Sequence, residues 1–210
     1  GRDVRHAWPR ADGGWTLAGQ LAPIQPDPDE ARRFPGGLYA RGVAPDGSGE
    51  WSLRLGSAHH WLLRGAGADP AGEQFVLVGL AVREDPDARY GYLVSVAADG
   101  RLLWTVTDRD WRYFADVAPA AAGRWTATGV SRRRVSDDRL EDHHGLRGFS
   151  PFGASLWEIR HARGTESMGW SLLDHPDGGW WSAGAVTDDG EDFDVDLLRT
   201  DDRGALDTSR

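Results

Sequence analysis

Asp99-Gly100-Arg101-Leu102-Leu103-Trp104 sets a turn glycine four residues ahead of a tryptophan, and the figure returns at Asp46-Gly47 with Trp51 and at Phe152-Gly153 with Trp157. A fourth copy, Arg203-Gly204, carries Thr208 in the tryptophan slot. The four glycines stand 53, 53 and 51 residues apart, a period in the range of stacked supersecondary units. This is a repeat protein.

A second marker runs in phase with the first. It reads Trp15-Thr16-Leu17-Ala18-Gly19, Phe75-Val76-Leu77-Val78-Gly79, Trp125-Thr126-Ala127-Thr128-Gly129 and Trp180-Trp181-Ser182-Ala183-Gly184. Turn residues precede it, most clearly Asp12-Gly13-Gly14 and Asp177-Gly178-Gly179. A variable loop follows each copy, then a third apolar run at 38–43, 92–96, 146–149 and 195–198, then the glycine turn and its tryptophan strand. Each unit therefore reads as four short strands rich in β-branched and aromatic residues, with Gly, Pro, Asp and Ser between them. No segment holds apolar residues at helical spacing for long enough to be a helix; the alanine-rich piece 118–122 is short and carries Pro119.

Four antiparallel strands repeated every 40–50 residues mark a propeller blade. The expected fold is all-β, a β-propeller of four blades, each a four-stranded antiparallel sheet. One domain spans 1–210, with units of about 1–57, 58–108, 109–163 and 164–210. The ring is expected to close by the two termini meeting, which puts Thr208 near the first unit.

The stretches 12–19, Asp-Gly-Gly-Trp-Thr-Leu-Ala-Gly, and 92–104, Tyr-Leu-Val-Ser-Val-Ala-Ala-Asp-Gly-Arg-Leu-Leu-Trp, resemble the bacterial β-propeller repeats of secreted and cell-surface proteins. The likeness runs through the whole chain. It implies a binding or scaffolding role and no shared catalytic set. Thr208 and the longer insertions at 21–36 and 131–145 depart from the pattern.

Composition narrows the function. The net charge is −9, all 24 basic residues are arginine, and the longest basic run is Arg132-Arg133-Arg134. Such a chain is a poor ligand for a phosphate backbone, so nucleic acid is not an expected partner. The absence of cysteine removes disulfides, thiol chemistry and cysteine-ligated metals. No stretch reaches the length of a transmembrane helix. These absences leave the compartment open; the family resemblance implies a secreted, periplasmic or cell-surface setting, and the chain is expected to be monomeric.

Of the eleven tryptophans, those at 15, 51, 104, 125, 157 and 180 recur at equivalent places and are expected to pack between blades. Trp51, Trp104 and Trp157 are expected to be largely buried. Trp8, Trp61, Trp111, Trp170 and Trp181 break the pattern and are freer to meet a ligand.

If each blade runs from inner to outer strand, the segments 4–11, 60–68, 112–118 and 169–175 line the channel. The repeat register then sets His60, Tyr113 and Glu166 at one mouth, with His59 and Arg112 one position earlier and His6 and Trp61 close by. Those seven residues are the candidate ligand-binding set. A ring of mixed charge suits a small polar or zwitterionic ligand, because buried charges need partners. Two further clusters, the 137–144 run with Asp137, Asp138, Glu141, Asp142, His143 and His144, and the acidic run 188–196, have the donor types of a cation site without its spacing. Neither is taken as a metal site, and no cofactor is expected.

No nucleophile elbow, phosphate loop or dinucleotide fingerprint is present. The expected function is a binding module or scaffold that recognises a small polar ligand or a protein partner at the channel mouth. The alternatives are a hydrolase or lyase using acid–base residues there, or a structural part of a larger propeller.

Overall fold

The computed structural model describes residues 2–21, 37–55, 60–82, 89–136 and 139–207. Fifteen strands fill them: β1 Arg2–Pro9, β2 Trp15–Leu21, β3 Leu38–Val43, β4 Gly49–Leu55, β5 His60–Ala68, β6 Gln74–Val82, β7 Arg89–Ala97, β8 Leu102–Asp108, β9 Trp111–Pro119, β10 Trp125–Ser136, β11 Arg139–Phe149, β12 Ser155–His161, β13 Glu166–Asp174, β14 Trp180–Thr187 and β15 Asp194–Thr200. Each unit is one antiparallel meander, with the strands adjacent in sequence order. The first three sheets have four strands and the fourth has three. Where a sixteenth strand was expected, Leu206 makes a single bridge to Thr200. The chain is all-β, with one 3-10 turn among the described residues, at Ala121–Gly123.

The turn glycines have a common geometry. The N–H groups of Gly47, Gly100, Gly153 and Gly204 donate to the carbonyls of Ala44, Ala97, Ser150 and Asp201, and their φ values of +81° to +85° lie where only glycine is unstrained. A type I turn followed by a left-handed residue is a standard hairpin connection. That chemistry is why the Asp-Gly signal was readable.

Inner strands stack on the preceding sheet: β9 packs on β5, β6 and β7, β13 on β9, β10 and β11, and β5 on β2 and β3. The core lies in these three joints. The first joint gathers Ala18, Leu38, Ala40, Leu63, Phe75 and Tyr92, the second Val76, Val78, Leu93, Trp111, Phe114 and Trp125, and the third Leu146, Leu172, Trp180 and Leu198.

No comparable packing joins the fourth sheet to the first among the described residues, so the expected closure is corrected to an open arc. Thr208 lies outside the described residues. The insertion 131–145 is largely strand: β10 runs into it as far as Ser136 and β11 from Arg139, paired as a ribbon with Ser131 opposite His143 and Arg133 opposite Glu141. Regular strand pairing satisfies the backbone there, which a sequence rich in Arg and Asp did not announce.

Candidate functional site

All four inner strands carry a β-bulge at the same place. Register slips fall between Val4 and His6, Leu63 and Gly65, Phe114 and Asp116, and Gly169 and Ser171, which leaves Arg5, Arg64, Ala115 and Trp170 as the extra residues. Opposite each bulge stands the last glycine of the second marker: Gly19, Gly79, Gly129 and Gly184. A Cβ on any of these would overlap a carbonyl oxygen of the inner strand, that of Asp3, Leu62, Tyr113 or Met168. The glycine is thus required by the close approach of the bulged backbone. Bulges re-aim side chains, and here they do so in four neighbouring strands at one level.

The re-aimed side chains knit the inner strands together. The Arg5 guanidinium donates to the carbonyl of Leu63 at 2.9 Å. Arg64 lies over the Tyr113 ring, 5.1 Å from its centroid, and the Tyr113 hydroxyl bonds the Trp170 side chain. Burial raises the Tyr113 pKa, so the phenol stays neutral and keeps its proton as a donor. Trp170 is more than half exposed.

Asp116, on β9, accepts from the Leu172 N–H at 3.0 Å and from the Val117 N–H at 2.8 Å. Burial pushes its pKa up, opposed by these hydrogen bonds, by the His6 charge and by the Ser171 hydroxyl. His6 stacks on Trp8 with ring centroids 5.6 Å apart. Burial holds its pKa below 6.5, Asp116 working in the opposite sense. A carboxyl and an imidazole, a phenol, two arginines and an exposed indole therefore occupy one level of the inner strands.

The seven sequence-derived residues distribute unevenly around this level. His6 and Tyr113 belong to it. Arg112 turns onto its own sheet and pairs with Asp142 at 2.6 Å, beside Arg132. Trp61 packs into the first joint against Tyr92, ring centroids 4.5 Å apart. Glu166 opens β13, exposed, opposite Thr187. His60 starts β5 opposite Val82; its side chain and all of His59 lie outside the described residues. Sequence reading missed Arg5, Arg64, Asp116 and Trp170 as a set, because it counted from the tryptophans. The signal that finds them is the marker glycine.

Trp111, expected to be free for a ligand, is fully buried on Phe114. Trp51, Trp104 and Trp157 are half-buried and not core, since each lies along the rim of a joint.

The third joint contains a constellation no spacing revealed. His144 Nδ1 bonds the Asp196 carboxylate at 2.8 Å and its Nε2 bonds the Ser182 hydroxyl at 2.7 Å; Ser182 also bonds Thr128 at 2.7 Å. The order carboxylate, imidazole, hydroxyl is that of an activated nucleophile. Here Ser182 and His144 are 0% exposed and Asp196 1%, so no substrate reaches the hydroxyl. It is a buried polar latch between the third and fourth blades. In the sequence Asp196 stood only as the end of the acidic run 188–196. Instead, although burial works against it, the His144 hydrogen bond and the nearby positive charge hold its pKa below the usual carboxylate value. In the same run Asp189 accepts from the N–H groups of Glu191 and Asp192 and from the Thr187 hydroxyl, which lower its pKa and commit its oxygens to the loop. Asp137 and Asp138 lie outside the described residues. Among the described residues no three metal-ligating side chains converge.

No protein-family model matches the sequence, and no curated protein is detectably similar to it. Solved structures do resemble the fold. The β-propeller domain of the Trilobed protease from Pyrococcus furiosus, described as having an open velcro topology, superposes with a TM-score of 0.55 at 9% identity, over 98% of this chain and 56% of that one. The chain has the β-propeller fold. It spans little more than half the length of the propeller it matches. Weaker likenesses, to an ACO/RPE65 chimera (TM-score 0.44, 8% identity, 94% of this chain and 59% of that one) and to the parainfluenza virus 5 hemagglutinin-neuraminidase ectodomain (0.43, 6%, 95% and 58%), add nothing to the argument. No described helix is long and apolar enough to cross a membrane.

Proposed function

We propose that this propeller is a binding scaffold that takes a small polar or zwitterionic ligand on the inner strands, at the level of the four aligned bulges. The observation that carries the reading is the shared bulge register, which seats Arg5 on the Leu63 carbonyl of the next inner strand and brings Arg64 and Trp170 onto Tyr113, at the level where Asp116 lies. The arginines offer donors to an anionic group, Asp116 accepts from an ammonium or hydroxyl, and the exposed Trp170 face offers an apolar platform. The sequence resemblance to secreted and cell-surface repeats supports an extracytoplasmic setting.

The test is a screen of amino acids, sugar acids and small zwitterions by thermal shift, followed by calorimetry on Arg64→Ala, Asp116→Asn and Trp170→Ala. A ligand whose affinity falls at least tenfold in each variant supports the reading. Binding that survives all three changes overturns it.

One observation favours an acid–base alternative: burial raises the pKa of Asp116 and lowers that of His6, which favours the uncharged form of each and brings the two values toward one another. A hydrolase or lyase built on them loses two to four decades of rate when either is removed. Turnover of a bound ligand, lost in Asp116→Asn, separates the two readings.

A further inference from the structure

Around Tyr113 three guanidiniums share one carboxylate. A second register slip in β9, between Trp111 and Tyr113, makes Arg112 an extra residue and takes its side chain out of the strand alternation. Tyr113 stands opposite Val130, and the next pair on that face of the sheet is Arg132 opposite Asp142. Asp142 meets Arg112 Nη1 at 2.6 Å through one oxygen and Arg132 Nε at 3.6 Å through the other. Arg64, from β5 of the preceding blade, lies over the Tyr113 ring and pairs with no carboxylate among the described residues.

The surplus of positive charge is poorly screened. Arg132 and Asp142 keep only 16 and 13% of their side-chain surface exposed, so solvent does little to compensate the two guanidiniums that Asp142 cannot neutralise. Burial lowers the Arg132 pKa against the pull of Asp142, and the charges of Arg112 and Arg89 lower it further. In a chain of net charge −9 this is a local reversal of sign. The phenol adds a neutral donor. The Trp170 indole that meets the Tyr113 hydroxyl has only an N–H to give, so the oxygen accepts there and the phenol proton is free to donate.

We infer, resting on the binding reading above, that the ligand carries a phosphate monoester, and that this group seats on the Tyr113 hydroxyl between Arg64 and Arg112. A dianion matches three guanidiniums that share one carboxylate, where a ligand carboxylate would leave one charge unpaired. The terminal oxygens of a phosphate also suit the planar donor fork of arginine. Asp142 holds Arg112 and Arg132 in place before the ligand arrives, and its own charge weakens the site for an anion. The acidic surface elsewhere repels a polyanion, which confines the ligand to one such group on a small molecule.

The test is calorimetry of the 210-residue chain with inorganic phosphate and methyl phosphate, against acetate and chloride at equal ionic strength and a pH of about 8, where the phosphates are dianions. Binding of the two phosphates alone is expected. Tyr113→Phe and Arg112→Gln, each checked for native circular dichroism, are expected to weaken it by about tenfold; Arg64→Gln, a surface change, serves if Arg112→Gln fails to fold. Asp142→Asn is expected to tighten it several-fold, which the loss of a merely structural contact would not do. Phosphate that binds no better than acetate, unchanged affinity in Tyr113→Phe and the arginine variant, or weaker binding in Asp142→Asn would each overturn the phosphate assignment. If in that case a zwitterion or sugar acid still binds and loses affinity in Asp116→Asn and Trp170→Ala, the assignment has failed while the inner-strand reading stands.

Discussion

The indole Nε1 of Trp51 donates to the carbonyl of Ala98 at 2.8 Å while its ring lies across Gly100, so one side chain of the first blade clamps the turn of the second. Trp104 repeats the arrangement on the third blade, with Nε1 on the Pro151 carbonyl at 2.8 Å and the ring across Gly153. Replacing either with alanine removes a partly buried hydrogen bond and a rim of packing. The expected loss is about 3 kcal/mol, the lower end for a large aromatic because each ring is half-exposed. Denaturant unfolding of Trp51→Ala and Trp104→Ala checks it; two changes well under 1 kcal/mol would mean that the clamps do not hold the joints.

The marker glycines predict a sharper sensitivity. In Gly79→Ala and Gly184→Ala the new Cβ meets the carbonyl of Leu62 or Met168, and backbone there cannot swing aside as a side chain would. The bulge must straighten or the strand must move, at about 2–3 kcal/mol, the range for overpacking a core. Gly178→Ala has open space around the site and meets only its own φ of +90°, so it is the matched control and is expected to cost about 1–2 kcal/mol. Equal losses in all three would refute the steric account.

Acid should loosen the third joint first. The folded pKa of Asp196 lies below its unfolded value of 3.8, so its contribution is complete above 3.8 and is lost as pH falls through the lowered folded value. Asp196→Asn leaves His144 without its charged partner and is expected to cost about 3 kcal/mol at neutral pH. The variant should also show a flatter fall in stability on acidification. Melting temperatures of both proteins between neutrality and the acid limb measure the two slopes, and parallel slopes would rule the latch out as an acid-sensitive element.

Asp116 has the opposite sign. Its folded pKa is raised above 3.8, so the folded state is favoured below 3.8 and this advantage disappears as pH rises through the raised value. Asp116→Asn keeps an acceptor for the Leu172 N–H and removes the half-buried charge. The variant is expected to melt above the parent at neutral pH and to lose that margin in acid. A variant less stable than the parent at neutrality would show that the charge is compensated by groups on the facing strands.

The period of the glycine turns, the alternation in the strands and the absence of helix were all legible in the sequence, because each rests on local chemistry: a left-handed turn residue, a two-residue side-chain period, a proline in the only alanine-rich piece. The stretches that form the inner strands were placed by the same grammar. The sequence could not say that Gly19, Gly79, Gly129 and Gly184 face bulges, because a glycine in a strand looks the same whether it fills a turn, a bulge or a close contact. Nor could it join His144 to Ser182 and Asp196, which lie 38 and 52 residues further along the chain and meet it only when two blades stack. The distinction between Trp125, fully buried, and Trp15, half-exposed at the same repeat position, was likewise invisible. Both sit in one local pattern, and burial depends on whether another blade lies in front. Turns and strands follow from neighbours along the chain; joints, latches and open faces follow from which sheets meet, and that only the tertiary structure decides.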